Sequence, residues 1–118
     1  RPTEPHWSAL MAHAGVDSLY LYSRGEGCDF RARLFSPTAG IPEDPATGSA
    51  TAILSAQLQA AGMLQPGRQS FQLRQGVEMG RPSELRLTVD CDADGITAVH
   101  IQGAAVKVSE GWLKPPAA

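Results

Sequence analysis

A chain of 118 residues is the size of one domain and buries roughly two-thirds of its unfolded surface around a single core. Its formal charge of −2, with no basic stripe interleaved with aromatics, argues against a nucleic-acid partner. No apolar run is long enough to span a bilayer and no charged start leads into an apolar leader core, so a soluble cytoplasmic protein with no membrane partner is expected.

The first predicted element is a short helix from Glu4 to Ala14, with Pro2 and Pro5 at its start, Trp7, Leu10 and Met11 on one face, and Gly15 at its end. Val16 to Tyr22 alternates as a strand, Arg24 to Asp29 with its two glycines is a turn, and Phe30 to Phe35 is a second strand antiparallel to the first. Ser36 to Pro42 reads as an irregular loop that delivers the next stretch, Glu43-Asp44-Pro45-Ala46-Thr47-Gly48-Ser49-Ala50.

Between Pro45 and Gly67 there is no Asp, Glu, Lys or Arg. At the ordinary charged fraction of roughly a quarter, about five would be expected. Ala50, Ala52, Ile53, Leu54, Ala56, Leu58, Ala60 and Ala61 form helix readily, and Gly62 suits the position just past a helix end. A helix without a charged face is expected to be buried on most of its circumference. A small chain meets that need by wrapping a sheet around it. The predicted fold is therefore α+β: a curved, mostly antiparallel sheet around a central buried helix, plus the short N-terminal helix.

Beyond that helix, Gln65-Pro66-Gly67 is a turn and Ser70 to Gln75 a strand ending at Gly76. Gly80-Arg81-Pro82-Ser83 breaks the chain before Glu84 to Val89, which alternates polar and apolar. Asp92-Ala93-Asp94-Gly95 signals a hairpin turn, longer than the two-residue kind, before a strand at Ile96 to Ile101. Ala104 to Val108 continues the pattern, and Trp112-Leu113 is expected to close the core. Neither a linker nor an internal repeat divides the chain, so residues 1–118 are expected to be a single domain.

The start of the central helix is the candidate site. Its first four N–H groups lack partners within the helix, Gly48 and Ser49 leave room for approach, and a carboxylate bound there gains about 0.3 to 2 kcal/mol from the helix dipole. Asp44, just ahead, is placed to handle a proton. Simple capping by Asp44 before Pro45, or by Thr47, is the competing reading. Against it, four polar groups, Asp44, Thr47, the Gly48 N–H and Ser49, crowd one terminus where a cap needs one.

Other positions are weaker. Arg81, beside Pro82 and Ser83, is a candidate to meet an anionic group, the alternative being an arginine that holds loop carbonyls or a carboxylate. Gly76 permits close backbone approach at a strand end, or marks a bulge. Glu43 is read as a loop residue, because neighbours on an extended segment point to opposite sides. His6, His13 and His100 have no acidic or cysteine neighbours at metal-ligand spacing, and Cys28 and Cys91 are read as reduced structural thiols, so no metal is expected. Phosphate-loop, dinucleotide and nucleophile-elbow patterns are absent from the sequence.

Three motifs in order carry a resemblance: Arg33-Leu34-Phe35-Ser36-Pro37, then Gly40-Ile41-Pro42-Glu43-Asp44-Pro45-Ala46-Thr47-Gly48-Ser49-Ala50, then Gln75-Gly76-Val77-Glu78-Met79-Gly80-Arg81-Pro82-Ser83. With Gly103 to Val108 and Gly111, the stretch from about Gly15 to Pro115 resembles the C-terminal half of the PhzF-like family of phenazine biosynthesis. The resemblance implies a diaminopimelate-epimerase-like fold of two similar domains with the active site in the cleft between them. It also implies isomerase or epimerase chemistry, moving a proton on a small carboxylated substrate without metal or organic cofactor. Asp44 falls on this half's acid/base position, and Thr47, Gly48 and Ser49 on the turn that binds the substrate carboxylate.

The family's principal proton-shuttling glutamate belongs to an N-terminal half that has no counterpart in these residues. The chain is therefore expected to be half of an enzyme and inactive alone, its partner being the missing N-terminal half. The alternative is a non-catalytic half-domain that pairs with itself as a homodimer and binds a small carboxylate.

Overall fold

The computed structural model describes residues 1 and 3–117; Pro2, expected at the start of the first helix, lies outside the described residues. Helix α1 spans His6–Ala14, buries Trp7 and Met11, and ends at Gly15 in the left-handed conformation. It starts two residues later than expected. Glu4 stays outside the helix and uses its carboxylate as an acceptor for the Ser8 N–H and hydroxyl, at 3.3 and 2.8 Å.

Strand β1 (Leu19–Arg24) pairs antiparallel with β2 (Phe30–Ser36), Tyr20 opposite Leu34 and Tyr22 opposite Ala32. Val16 is half exposed and precedes the strand, because β2 offers a partner only from Leu19 onward, at Phe35. The expected loop after β2 shrinks to a 3₁₀ turn at Pro37–Ala39, and Ile41–Asp44 forms a short strand, β3, antiparallel to β2. Glu43 is thus a buried strand residue rather than a loop residue. With only four residues and a proline, β3 carries too little alternation to stand out in the sequence.

Helix α2 (Gly48–Ala60) follows, then β4 (Gly67–Gln75), β5 (Ser83–Asp92) and β6 (Gly95–Gly103). The sheet order is β1-β2-β4-β5-β6, with β3 also on β2. All pairings are antiparallel except β2 with β4, the one that requires a crossover, and α2 lies on that crossover. The β5–β6 turn is tighter than expected. Asp92 pairs with Gly95, leaving a two-residue turn, Ala93-Asp94, and the N–H groups of Asp94 and Gly95 donate to the Asp92 side chain at 2.8 and 3.1 Å.

The main core joins Leu54 and Leu58 of α2 to Phe30, Leu73, Leu85, Leu87 and Val89 of the sheet. A second, smaller cluster packs Trp7 and Met11 of α1 on Phe35. Both edges of the sheet reach the same helix: β6 packs along α2, and the β1 residue Tyr20 meets Thr51 of α2 hydroxyl to hydroxyl at 3.4 Å. A six-stranded sheet whose edge strands touch one helix must curl around it, as the α+β expectation requires.

Two further expectations fail. Helix α2 buries Ala50, Thr51, Leu54, Ser55 and Leu58 but leaves Ile53 68% exposed, with Ala56 and Gln57 beside it, so burial is one-sided. The absence of charge on that side is not a mark of burial within this chain. The tail also departs from expectation. Residues 104–117 carry neither helix nor strand, and Trp112 and Leu113 are fully exposed instead of closing the core, which β5, β6 and α2 already fill.

Candidate active site

Strand β2 brings the site together. Its first half pairs with the end of β4, Ala32 opposite Gln75, and its second half pairs with β3, Leu34 opposite Asp44. Two residues along one strand therefore separate the partners of Gln75 and Asp44, and the turn Asp44–Thr47 lies against the last side chain of β4.

Alternation on β3 sends Glu43 and Asp44 to opposite sides. The Glu43 carboxylate, its side chain 1% exposed, accepts from Arg33 Nε and Nη2 at 2.9 and 3.1 Å and from Arg1 Nε at 3.2 Å. The Arg33 hydrogen bonds hold the Glu43 carboxyl below its ordinary range, outweighing burial, which pushes the other way. Glu43 is thus a structural anchor. Asp44 is half-buried, and its Oδ2 accepts from the Thr47 hydroxyl.

Thr47 precedes the first turn of α2 with extended backbone but does not cap it. Its hydroxyl is engaged with Asp44 and Gln75, and its carbonyl accepts from both the N–H and hydroxyl of Thr51, at 3.1 and 2.8 Å. With no side-chain cap, the N–H groups of Gly48, Ser49 and Ala50 stay without intrahelical acceptors. Gly48 and Ser49 are exposed, so the tip of the helix is open, not sealed by its own side chains. A Cβ on Gly48 would meet only Ile101 at an ordinary 3.7 Å, so nothing in the chain itself forbids a larger residue there.

Gly76 has a packing reason to be glycine. Its φ is +78°, and a Cβ would lie 2.9 Å from the Pro45 carbonyl oxygen and collide with that of Arg81. It lets the end of β4 abut the turn before α2. Arg81 comes to the same end of the molecule, its N–H donating to Gly76 O at 2.9 Å, with its side chain exposed. Further along α2, Ala50, Ile53, Leu54 and Gln57 face Tyr20, Tyr22 and Leu34 across a mainly apolar cleft of about 410 Å³.

Gln75 is the residue the sequence reading missed. It is fully buried and makes three hydrogen bonds to the Asp44–Thr47 turn, yet a glutamine at a strand end carries no pattern that announces it. Cys28 and Cys91 are free thiols, both half-buried, and His100 faces Asp90 at 3.1 Å. Among the described residues, no group of three or more His, Cys, Asp or Glu is placed to hold a metal ion.

The solved structure of a Bacillus anthracis phenazine biosynthesis protein of the PhzF family superposes with a TM-score of 0.65 at 17% identity, over 86% of this chain and 40% of that one, which establishes the likeness of fold. An uncharacterised isomerase of Deinococcus radiodurans is 38% identical over 93% of this chain and 36% of its own length. The trans-2,3-dihydro-3-hydroxyanthranilate isomerase of Pseudomonas chlororaphis is 40% identical over 75% of this chain and 32% of its own. The chain thus spans about a third of the length of these curated relatives. The family model described as phenazine biosynthesis-like protein, PhzC-PhzF, matches residues 2–111, and with that match the chain belongs to the PhzF family.

Proposed function

We propose that this chain supplies one side of the active site of a cofactor-independent isomerase that moves a proton on a small carboxylated substrate. The observation that carries the reading is the uncapped, open start of α2 beside Asp44. There the N–H groups of Gly48 and Ser49 receive the substrate carboxylate, with the helix dipole favouring the negative charge. Asp44 gives or takes a proton next to that carboxylate, Thr47 supports it, and Gly76 and Arg81 border the site from the neighbouring loop. The substrate class follows the relatives named as hydroxyanthranilate isomerases, whose substrate carries a carboxylate on a ring.

Moving a proton between two positions needs a second acid/base, which we assign to a glutamate on the part of the protein outside these 118 residues. General acid-base catalysis is worth about 100- to 10,000-fold, so its absence silences the site. The expected result is no turnover of a hydroxylated dihydroanthranilate by the 118-residue chain, turnover by the longer protein, and loss of most of that turnover in Asp44→Asn. Full activity in Asp44→Asn, or isomerisation by this chain alone that Asp44→Asn abolishes, contradicts the assignment.

A second reading has its own observation. Ile53 and Tyr22 are exposed around the α2 cleft, and Val106, Val108, Trp112 and Leu113 are exposed on the tail. A half-domain that pairs with a second copy would cover such surfaces. Sedimentation at micromolar concentration separates the readings: a homodimer that binds carboxylate without chemistry favours the second, and a monomer removes it.

A further inference from the structure

Gln75 is fully buried at the end of β4 and spends its whole side-chain amide on the turn that carries Asp44. Its Nε2 donates to the Asp44 carbonyl at 2.8 Å and to the Thr47 hydroxyl at 2.9 Å, and its Oε1 accepts from the Thr47 N–H at 3.2 Å. The two backbone partners settle which end of the amide is which. A carbonyl can only accept and an N–H can only donate, so the NH₂ must face Asp44 and the oxygen must face Thr47 N.

The second hydrogen of that NH₂ then points at Thr47 Oγ1. A hydroxyl has one proton, and because Gln75 already donates to the oxygen, that proton is free to go to the remaining partner, Asp44 Oδ2. The three groups form a directed chain, Gln75 to Thr47 to Asp44. Each bond polarises the next in a partly buried setting.

We infer that Gln75 is a positioning residue for Asp44: it sets the polarity of the Thr47 hydroxyl so that Asp44 Oδ2 always receives a hydrogen bond, leaving Oδ1 as the oxygen that meets the substrate proton. This rests on the assignment of Asp44 as the acid/base. An ionised glutamate at position 75 has the same shape but no donors. The Thr47 hydroxyl would turn to it, and Asp44 would lose its bond.

The test reads Asp44 directly, without turnover. In the ¹³C-labelled 118-residue chain at neutral pH, Gln75→Glu and Thr47→Val are each expected to shift the Asp44 carboxyl carbon in the same direction, while Thr47→Ser restores the wild-type position. Thr47→Val also frees one Gln75 NH₂ proton, which then exchanges faster with solvent. Because Gln75→Glu buries an extra carboxyl and can disrupt the fold, the uncharged Gln75→Met, which also removes the donor to the Thr47 hydroxyl, is made beside it and is expected to shift the Asp44 carbon in the same direction, while the Thr47 pair checks the Thr47–Asp44 bond itself. An Asp44 carbon that stays put in Thr47→Val, or that moves in Thr47→Val but stays put in both Gln75 variants, makes Gln75 a mere structural clamp and overturns the inference. Carboxylate binding at the Gly48 and Ser49 amides, followed in the same samples, judges the proposed function separately.

Discussion

Glu43 and Asp44 carry the same functional group one residue apart, and β3 turns them to opposite sides. On one side, two arginine guanidiniums hold Glu43 as a buried anion; on the other, a threonine hydroxyl leaves Asp44 half-buried at the helix tip. Arg33→Met would leave Glu43 buried with Arg1 alone, and because Arg33 is itself partly exposed the cost falls at the low end for a broken buried pair, about 3 kcal/mol. The pH dependence has a definite sign. The folded Glu43 carboxyl lies below its ordinary 4.5, so its contribution is present above that value and is lost as pH falls through the folded value. Urea denaturation is therefore expected to show the gap between wild type and Arg33→Met narrowing as the pH drops below 4.5; a gap of constant size would show that Glu43 is not its source. That the adjacent carboxylates diverge was legible from strand geometry. Which of them is buried was not, because it depends on Arg33, ten positions earlier on another strand.

At the scale of elements, the long strands were readable because one face of each is buried and the alternation is sustained, as in β5, where Leu85, Leu87 and Val89 all point into the core. The same pattern misled at the tail: Val106 and Val108 alternate like a strand, but a strand needs an edge to pair with, and sequence alone does not say where that edge is. Helix α2 misled for a related reason. Its uncharged circumference marks a helix without a solvated charged face, yet within these residues only the Leu54–Leu58 side finds a core. The asymmetry is measurable. Leu58→Ala, at a fully buried position, is expected to cost about 2–5 kcal/mol, whereas Ile53→Ala, at an exposed one, should stay within about 0.5 kcal/mol. Comparable losses from both would mean that the outer side of α2 is covered in solution.

For the whole molecule, the curled sheet holds α2 with its core side inward and its N-terminus open at one end, where the ends of β3 and β4 and the loop after β4 also converge. The three stretches that carry the resemblance meet there: Arg33 to Pro37 lies at the end of β2, Gly40 to Ala50 forms β3 and the start of α2, and Gln75 to Ser83, about 25 residues further on, runs from the end of β4 to the start of β5. The direct measurement is an ¹⁵N titration of the chain with anthranilate and, in parallel, with its neutral carboxamide. Saturable shifts of the Gly48, Ser49 and Ala50 amides with the carboxylate, weakened by salt and absent with the carboxamide, are the expected result. Equal responses to both compounds, or no response at those three amides while others move, would contradict the claim that the start of α2 is a carboxylate site.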